Sequence, residues 1–218
     1  DKTKKKHISV TPFLLTYPGK YSILDHMKLV VNLKLKPTQA QATMLKSTLE
    51  RANEACNYLS ARAWATKTFG QYALHTLAYR ETREKFSLTA QVVVRCIAKV
   101  ADAYKLDKKT MRRFRKDSAQ PYDDRIIRFA KDNIVSIWTN SGRQKIPFVM
   151  GNYQRKLFAF RKGEVDLMRI NGKFYLAAVC DIDPPEPIKV KDVLGVDLGV
   201  VNLATDSNEK NYSGKAIN

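Results

Sequence analysis

The chain lacks any apolar run approaching the roughly 20 residues that cross a bilayer, so no transmembrane helix is expected in its 218 residues. It also lacks a signal-peptide core at its start, where residues 1–7 are polar and mostly basic. Cysteine is scarce. Cys56, Cys96 and Cys180 lie far apart and form no C-x-x-C pair, which points to reduced thiols buried as small hydrophobes rather than to a disulfide framework. His7, His26 and His75 show no ligand spacing, so no zinc site is expected. Negative charge is short as well: 21 Asp and Glu stand against 39 Lys and Arg, for a net charge of +18. With a membrane role disfavoured, an excess of that size points to nucleic acid as the partner.

What is present is the composition of a folded protein. Apolar residues make up 44% and charged residues 28%, enough for one large domain or two small ones. Residues 1–26 read as a basic N-terminal arm, with Lys2, Lys4, Lys5 and Lys6 followed by Pro12 and Pro18. Met27 opens a short strand over 28–35 with Leu29, Val31, Leu33 and Leu35 on one face. Thr38 and Gln41 have capping-box spacing at the start of a long helix. Its apolar stripe is Leu45, Leu49, Ala52, Cys56, Leu59 and Ala63, and it ends near Lys67. Residues 72–85 suggest a second helix. Ser87 reads as the cap of a third, with Val93, Ile97, Val100 and Tyr104 as its stripe.

The third helix is expected to run on through a basic stretch. Residues 105–117 hold seven bases and two acids, a local net of +5. Helical spacing would put Lys105, Lys108, Lys109, Arg112, Arg115 and Lys116 on one side, with Arg113 nearby and Met111 and Phe114 on the apolar side. Like charges so close repel, and a facing phosphate backbone would relieve them. From residue 119 the pattern becomes extended. Strands are expected over 125–130, 133–139, 143–149, 164–170 and 173–182, with hairpin turns at Asn140-Ser141-Gly142 and Asn171-Gly172. Such a series suggests a small barrel or curled sheet. Within it, Tyr153, Phe158 and Phe160 interleave with Arg155, Lys156, Arg161 and Lys162. That pattern suits base stacking and backbone contact, and equally a half-buried strand.

After the stiff stretch Asp183-Pro184-Pro185-Glu186-Pro187 comes Val193-Leu194-Gly195-Val196-Asp197-Leu198-Gly199, then Asn202-Leu203-Ala204-Thr205. The pattern predicts a buried strand over 193–200 carrying one carboxylate, and a second strand around 204–214. A buried lone carboxylate needs a cation or hydrogen bonds to offset its desolvation, which marks Asp197 as a metal-ligand candidate. On these residues alone, an RNase H-like nuclease strand, an actin-like ATPase turn and an ordinary turn-capping Asp all remain open.

The segments in order resemble the TnpB family of bacterial insertion sequences, which is related to type V CRISPR effectors. The resemblance rests on Leu35-Lys36-Pro37-Thr38 with Gln41, Leu88-Thr89-Ala90-Gln91, Ile97 through Tyr104-Lys105, Gln120-Pro121-Tyr122-Asp123-Asp124-Arg125-Ile126, Ile146-Pro147-Phe148, Gly172-Lys173-Phe174-Tyr175-Leu176 and the Gly195–Gly199 motif. It implies an α+β fold: a wedge-type β-barrel from 27–36 plus 119–183, with a helical recognition lobe inserted over 37–118. A linker over 184–192 would lead to the first strands of an RNase H-like RuvC domain at 193–218. It implies a bacterial, cytoplasmic and nucleoid-associated RNA-guided DNA endonuclease, with guide RNA and target double-stranded DNA as partners. Asp197 would be a catalytic ligand of Mg²⁺, with Mn²⁺ as a substitute. The family's other RuvC carboxylates would lie beyond Asn218, so this chain alone is expected to bind but not to cut, unless a second chain supplies the remainder. A nuclease-inactive DNA-binding regulator is the alternative.

Overall fold

The computed structural model describes residues 27–183, 194–199 and 202–213. The chain divides into two compact units, 1–183 and 184–218. The N-terminal arm and the 184–192 linker lie outside the described residues.

The first unit begins with β1 (Met27–Leu35), whose alternating Val31, Leu33 and Leu35 are buried as the pattern predicts. Three helices follow before the next strand: α1 (Gln39–Thr66), α2 (Gln71–Phe86) and α3 (Ala90–Leu106). The capping box at α1 forms in both directions: Gln41 N–H donates to Thr38 Oγ1 at 3.3 Å, and Thr38 N–H donates to Gln41 Oε1 at 3.1 Å. All six residues of its expected stripe are buried. The small side chains of Ala52, Ala55, Cys56 and Ala63 allow close approach to α3, where Val93, Cys96, Ile97, Val100 and Tyr104 are also buried.

Ser87 plays a different part from the one expected. It ends α2 in a left-handed conformation (φ 48°), and Thr89 occupies the N-cap of α3. The two-residue offset arises because α2 needs a residue of positive φ to close its last turn before the chain can re-enter a helix.

Seven strands then make one antiparallel sheet: β1 with β2 (Gln120–Tyr122), β3 (Ile127–Ala130), β4 (Ile134–Thr139), β5 (Gly142–Val149), β6 (Arg161–Ile170) and β7 (Lys173–Ile182). Their order is β2-β6-β7-β1-β5-β4-β3, so the first strand sits in the centre and the helices form an insertion between it and the rest. The edge strands β2 and β3 are joined by a four-residue turn over 123–126. Tyr122 hydroxyl donates to Trp138 carbonyl (3.2 Å), and Trp138 N–H donates to Ile126 carbonyl (2.9 Å). The sheet thereby curls into a nearly closed barrel, which hides the edge groups that an open sheet would expose.

The hairpins follow turn chemistry. Asn171 and Gly172 both have positive φ (48° and 76°), the type I′ geometry that Asn-Gly supplies. Residues 153–158 are not strand but part of a short helix, α4 (Asn152–Phe158), begun by Gln154 reaching back to Gly151 N–H at 2.7 Å. Phe158 packs edge-on against Phe129 and Phe148, and Gln154 Nε2 donates to Asn32 carbonyl, so α4 is fastened to β1 and to the aromatic end of the barrel core.

The second unit contains β8 (Val196–Asp197), β9 (Ala204–Asp206) and β10 (Asn211–Tyr212) in a small antiparallel sheet. The expected strand over 193–200 is thus reduced to two residues among those described. It is also exposed: Val196 is 56% and Leu198 79% accessible. Three strands this short leave the apolar side chains uncovered, because no second layer packs on them among the described residues.

Candidate nucleic-acid interface

The basic stretch is not helical, which corrects the sequence expectation. α3 stops at Leu106, and Asp107 turns extended (φ −159°, ψ 132°). The Asp107 carboxylate accepts from Lys109 N–H at 2.7 Å and Thr110 Oγ1 at 3.2 Å, a local alternative that competes with the helix ladder. The Arg112 guanidinium closes the turn, donating to Asp107 carbonyl at 3.1 and 2.9 Å and pairing with its carboxylate at 2.8 Å. Lys109 N–H above all, with Thr110 and Arg112, holds the Asp107 carboxyl below its ordinary range.

Beyond this turn the chain runs along α1 without regular structure, with a turn over 115–118, and is held by a polar row beside the apolar stripe. Ser60 Oγ donates to Arg112 carbonyl (2.6 Å), and Tyr104 hydroxyl accepts from Arg112 N–H (3.2 Å). The Asn57 side chain takes both the N–H and the carbonyl of Phe114, each at 2.8 Å. Asn53 Nδ2 donates to the carbonyls of Lys116 (3.1 Å) and Ser118 (2.8 Å), and Lys99 Nζ donates to Asn53 Oδ1 (2.7 Å) and Ala119 carbonyl (2.6 Å). Asn53, Asn57 and Ser60 are spaced four and three apart, so one helix face reads the backbone of this segment and leaves its side chains to alternate. Arg112 and Phe114 turn inward and are half-buried, whereas Lys108, Lys109, Arg113, Arg115 and Lys116 are exposed. Among the described residues none of those five makes an ion pair, while Lys105 pairs with Asp102 at 2.7 Å.

The second expected group divides between roles. Tyr153, Arg155 and Lys156 are exposed on α4, with Arg155 reaching Asn133 Oδ1 at 3.5 Å. Lys162 is exposed and pairs with Asp181 at 3.3 Å. Arg161 is largely enclosed: its guanidinium stands 5.0 Å from the Phe129 ring centre and donates to Gly163 carbonyl and Asp124. It fastens the barrel end more than it faces solvent. The two groups therefore sit on different supports, one on α1 and one on the barrel.

Asp197 lies on β8 opposite Thr205 and is exposed, so the premise of a buried lone carboxylate does not hold. The enclosed carboxylate of this unit is Asp206. It accepts Asn208 and Lys210 N–H, each at 3.0 Å, and Tyr212 hydroxyl at 2.9 Å. Those bonds, Lys210 N–H first, hold it below its usual range. Gly199 suits its place, since a Cβ there would stand 3.1 Å from Asn202 carbonyl. Among the described residues no cluster of three or more His, Cys, Asp or Glu side chains is positioned for a metal ion. Asp197 thus offers one free carboxylate oxygen donor, and the described residues do not compose a two-metal centre.

Sequence reasoning missed the polar joint between helices and barrel. Arg95 on α3 pairs with Glu164 on β6 and lies 3.8 Å from Asp123, while Gln91 donates to Asp123 and accepts from Arg125 at 3.1 Å. These partners are 28 to 69 residues apart in the chain, and no local pattern links them. No helix among the described residues is long and apolar enough to cross a membrane. No family model matches this chain, and no curated protein matches it.

Proposed function

We propose that this chain supplies the nucleic-acid-binding part of an RNA-guided DNA endonuclease of the kind its motifs resemble, the TnpB family, acting in the bacterial cytoplasm on guide RNA and target double-stranded DNA. The observation that carries the reading is the basic segment laid along α1. Among the described residues Lys108, Lys109, Arg113, Arg115 and Lys116 are exposed and make no ion pair; the first two stand on the Asp107 turn and the others on a backbone pinned by Asn53, Asn57 and Ser60. Exposed cations carried on a pinned backbone suit a phosphate backbone, because binding releases counterions and costs little ordering of the main chain. The insertion of the helices between β1 and β2 supports the same reading, as it gives the order of barrel and lobe that the resemblance implies. On this reading Tyr153, Arg155, Lys156 and Lys162 form a second contact on the barrel.

Asp197 would be one ligand of Mg²⁺, which in such nucleases activates water and stabilises the leaving oxygen. Among the described residues no further carboxylate, histidine or cysteine joins it in a cluster. Purifying the protein from its host and sequencing the bound RNA tests the proposal. A discrete, recurring RNA is expected; protein carrying only bulk RNA in proportion to its abundance would overturn it. In the assembled nuclease, Asp197→Ala is expected to abolish Mg²⁺-dependent cleavage with RNA binding intact. Guide-dependent DNA binding with no cleavage by the unaltered assembly would favour the regulator instead.

A further inference from the structure

A cleft of about 330 Å³ separates the start of α1 from the β6–β7 hairpin. Gln39, Thr43 and Lys46 form one wall, spaced four and three apart on a single helix face, and Arg169, Gly172 and Phe174 form the other. Phe174 is 3% exposed and closes the floor. The two walls are brought together only by the fold, since more than 120 residues separate Lys46 from Arg169.

Two observations give the cleft a preference. Its lining carries two cations and no carboxylate; Glu50 approaches Lys46 only at 3.9 Å. In addition, Arg169 Nε is shielded from water and has no hydrogen-bond partner. A shielded guanidinium N–H without an acceptor is costly, and an anionic oxygen in the cleft would satisfy it through a charge-assisted bond. Arg169 stands at the hairpin end of β6, on the side that carries Val165 and Leu167 into the core, so an arginine there has no packing reason of its own.

We propose that this cleft binds a phosphodiester group of a nucleic-acid backbone, with Arg169 and Lys46 supplying charge and the Gln39 amide a further donor. The proposal rests on the nucleic-acid reading above and adds a site apart from the basic segment. It assigns the contact to backbone rather than to base edges, so it contributes affinity and register without sequence preference.

The experiment is fluorescence anisotropy of the protein with a labelled single-stranded RNA and a duplex DNA over a series of salt concentrations. The variants are Arg169→Gln, Lys46→Gln and Thr43→Glu, beside a triple replacement in the basic segment (Lys109→Ala, Arg113→Ala, Lys116→Ala). Thr43 and Lys46 are exposed on α1, so these two variants keep the fold when Arg169→Gln does not, as thermal melts will report. Lys46→Gln is expected to flatten the log–log salt slope by about 0.7 to 0.9, and Thr43→Glu to weaken binding about tenfold by placing a carboxylate in the cleft. The nucleic acid that loses more identifies the source of the phosphodiester. If the triple variant flattens the slope while Thr43→Glu and Lys46→Gln leave it unchanged, the cleft proposal is overturned and the nucleic-acid reading stands. If the unaltered protein binds neither probe, the nucleic-acid reading falls and the cleft with it.

Discussion

The two units use the same apolar alternation to opposite effect. In the first, Leu33, Leu59 and Leu176 are 0% exposed; in the second, Leu194, Leu198 and Leu203 are 55%, 79% and 49% exposed. Helices fill the first unit's layers and a seven-stranded sheet nearly closes on itself, whereas among the described residues the second has only two- and three-residue strands. A carboxylate fares accordingly. Asp166 on β6 is half-buried beside a packed layer, and that burial raises its carboxyl above the ordinary range. Asp197 remains in water. An apolar period therefore announces a face that can be buried, and the neighbouring layer decides whether it is.

The strongest way to break this comparison is to cut the same side chain in both units. Leu33→Ala or Leu59→Ala should lower stability in urea unfolding by about 2 to 5 kcal/mol. Leu198→Ala should change it by no more than about 0.5 kcal/mol. Equal losses would show that the second unit is packed as tightly as the first.

Next in size is the contrast between a base that serves binding and one that serves the fold. The triple replacement of Lys109, Arg113 and Lys116 should lower RNA affinity by about 10- to 100-fold and reduce the salt slope by about 2 to 3, with an unchanged melting temperature. Arg161→Ala should do the reverse, because its guanidinium is spent on Phe129, Gly163 and Asp124. If Arg161→Ala instead flattened the slope at constant stability, Arg161 would return to the binding surface.

A smaller effect separates the pinned backbone from its side chains. Asn57→Ala removes both partners of Phe114 and should cost about 1 kcal/mol, with faster amide exchange at Phe114 and slower exchange nowhere. Unchanged protection at Phe114 would mean that Asn53 and Ser60 suffice to hold the strand.

The smallest effects are in pH dependence, and their sign should differ between carboxylates held by hydrogen bonds and one raised by burial. Asp206 and Asp107 have depressed carboxyl pKa values, so their stabilising bonds are complete above about pH 4 and are lost as pH falls through the depressed values. Asp166 is raised by burial: its charged form is penalised, and protonation relieves that cost as pH falls through its raised value. Asp166→Asn should therefore raise stability slightly at pH 7 and make no difference in acid. A neutral-pH loss would show instead that attraction from Lys99 outweighs desolvation at Asp166.

Much of the fold was legible because its signals are local. The Thr38 capping box, the six-residue stripe of α1 and the Asn171-Gly172 turn all depend on residues within a few positions of one another. The failures have local causes too weak to read alone. The Asp107 turn overrides a stretch whose bases fit a helix, and three α1 side chains then hold the chain against that helix. The helix α4 was hidden because seven residues are too few to establish a period, and packing of Phe158 on Phe129 and Phe148 stabilises it. In the candidate interface, the exposed bases were visible in the sequence. The separation of Arg112 and Arg161 from them was not, since each is withdrawn by a carboxylate or ring that folding brings beside it.

Sequence by itself determined the charge of +18, the helical stripe of α1 and the Asn171-Gly172 turn, because charge count and near-neighbour geometry do not depend on the rest of the chain. Tertiary structure alone decided that β1 sits between β5 and β7, that residues 111–118 lie along α1, that Arg169 faces Lys46, and that Asp206 rather than Asp197 is enclosed. Each of those outcomes turns on which distant segment removes water from a given side chain, and periodicity carries no record of that.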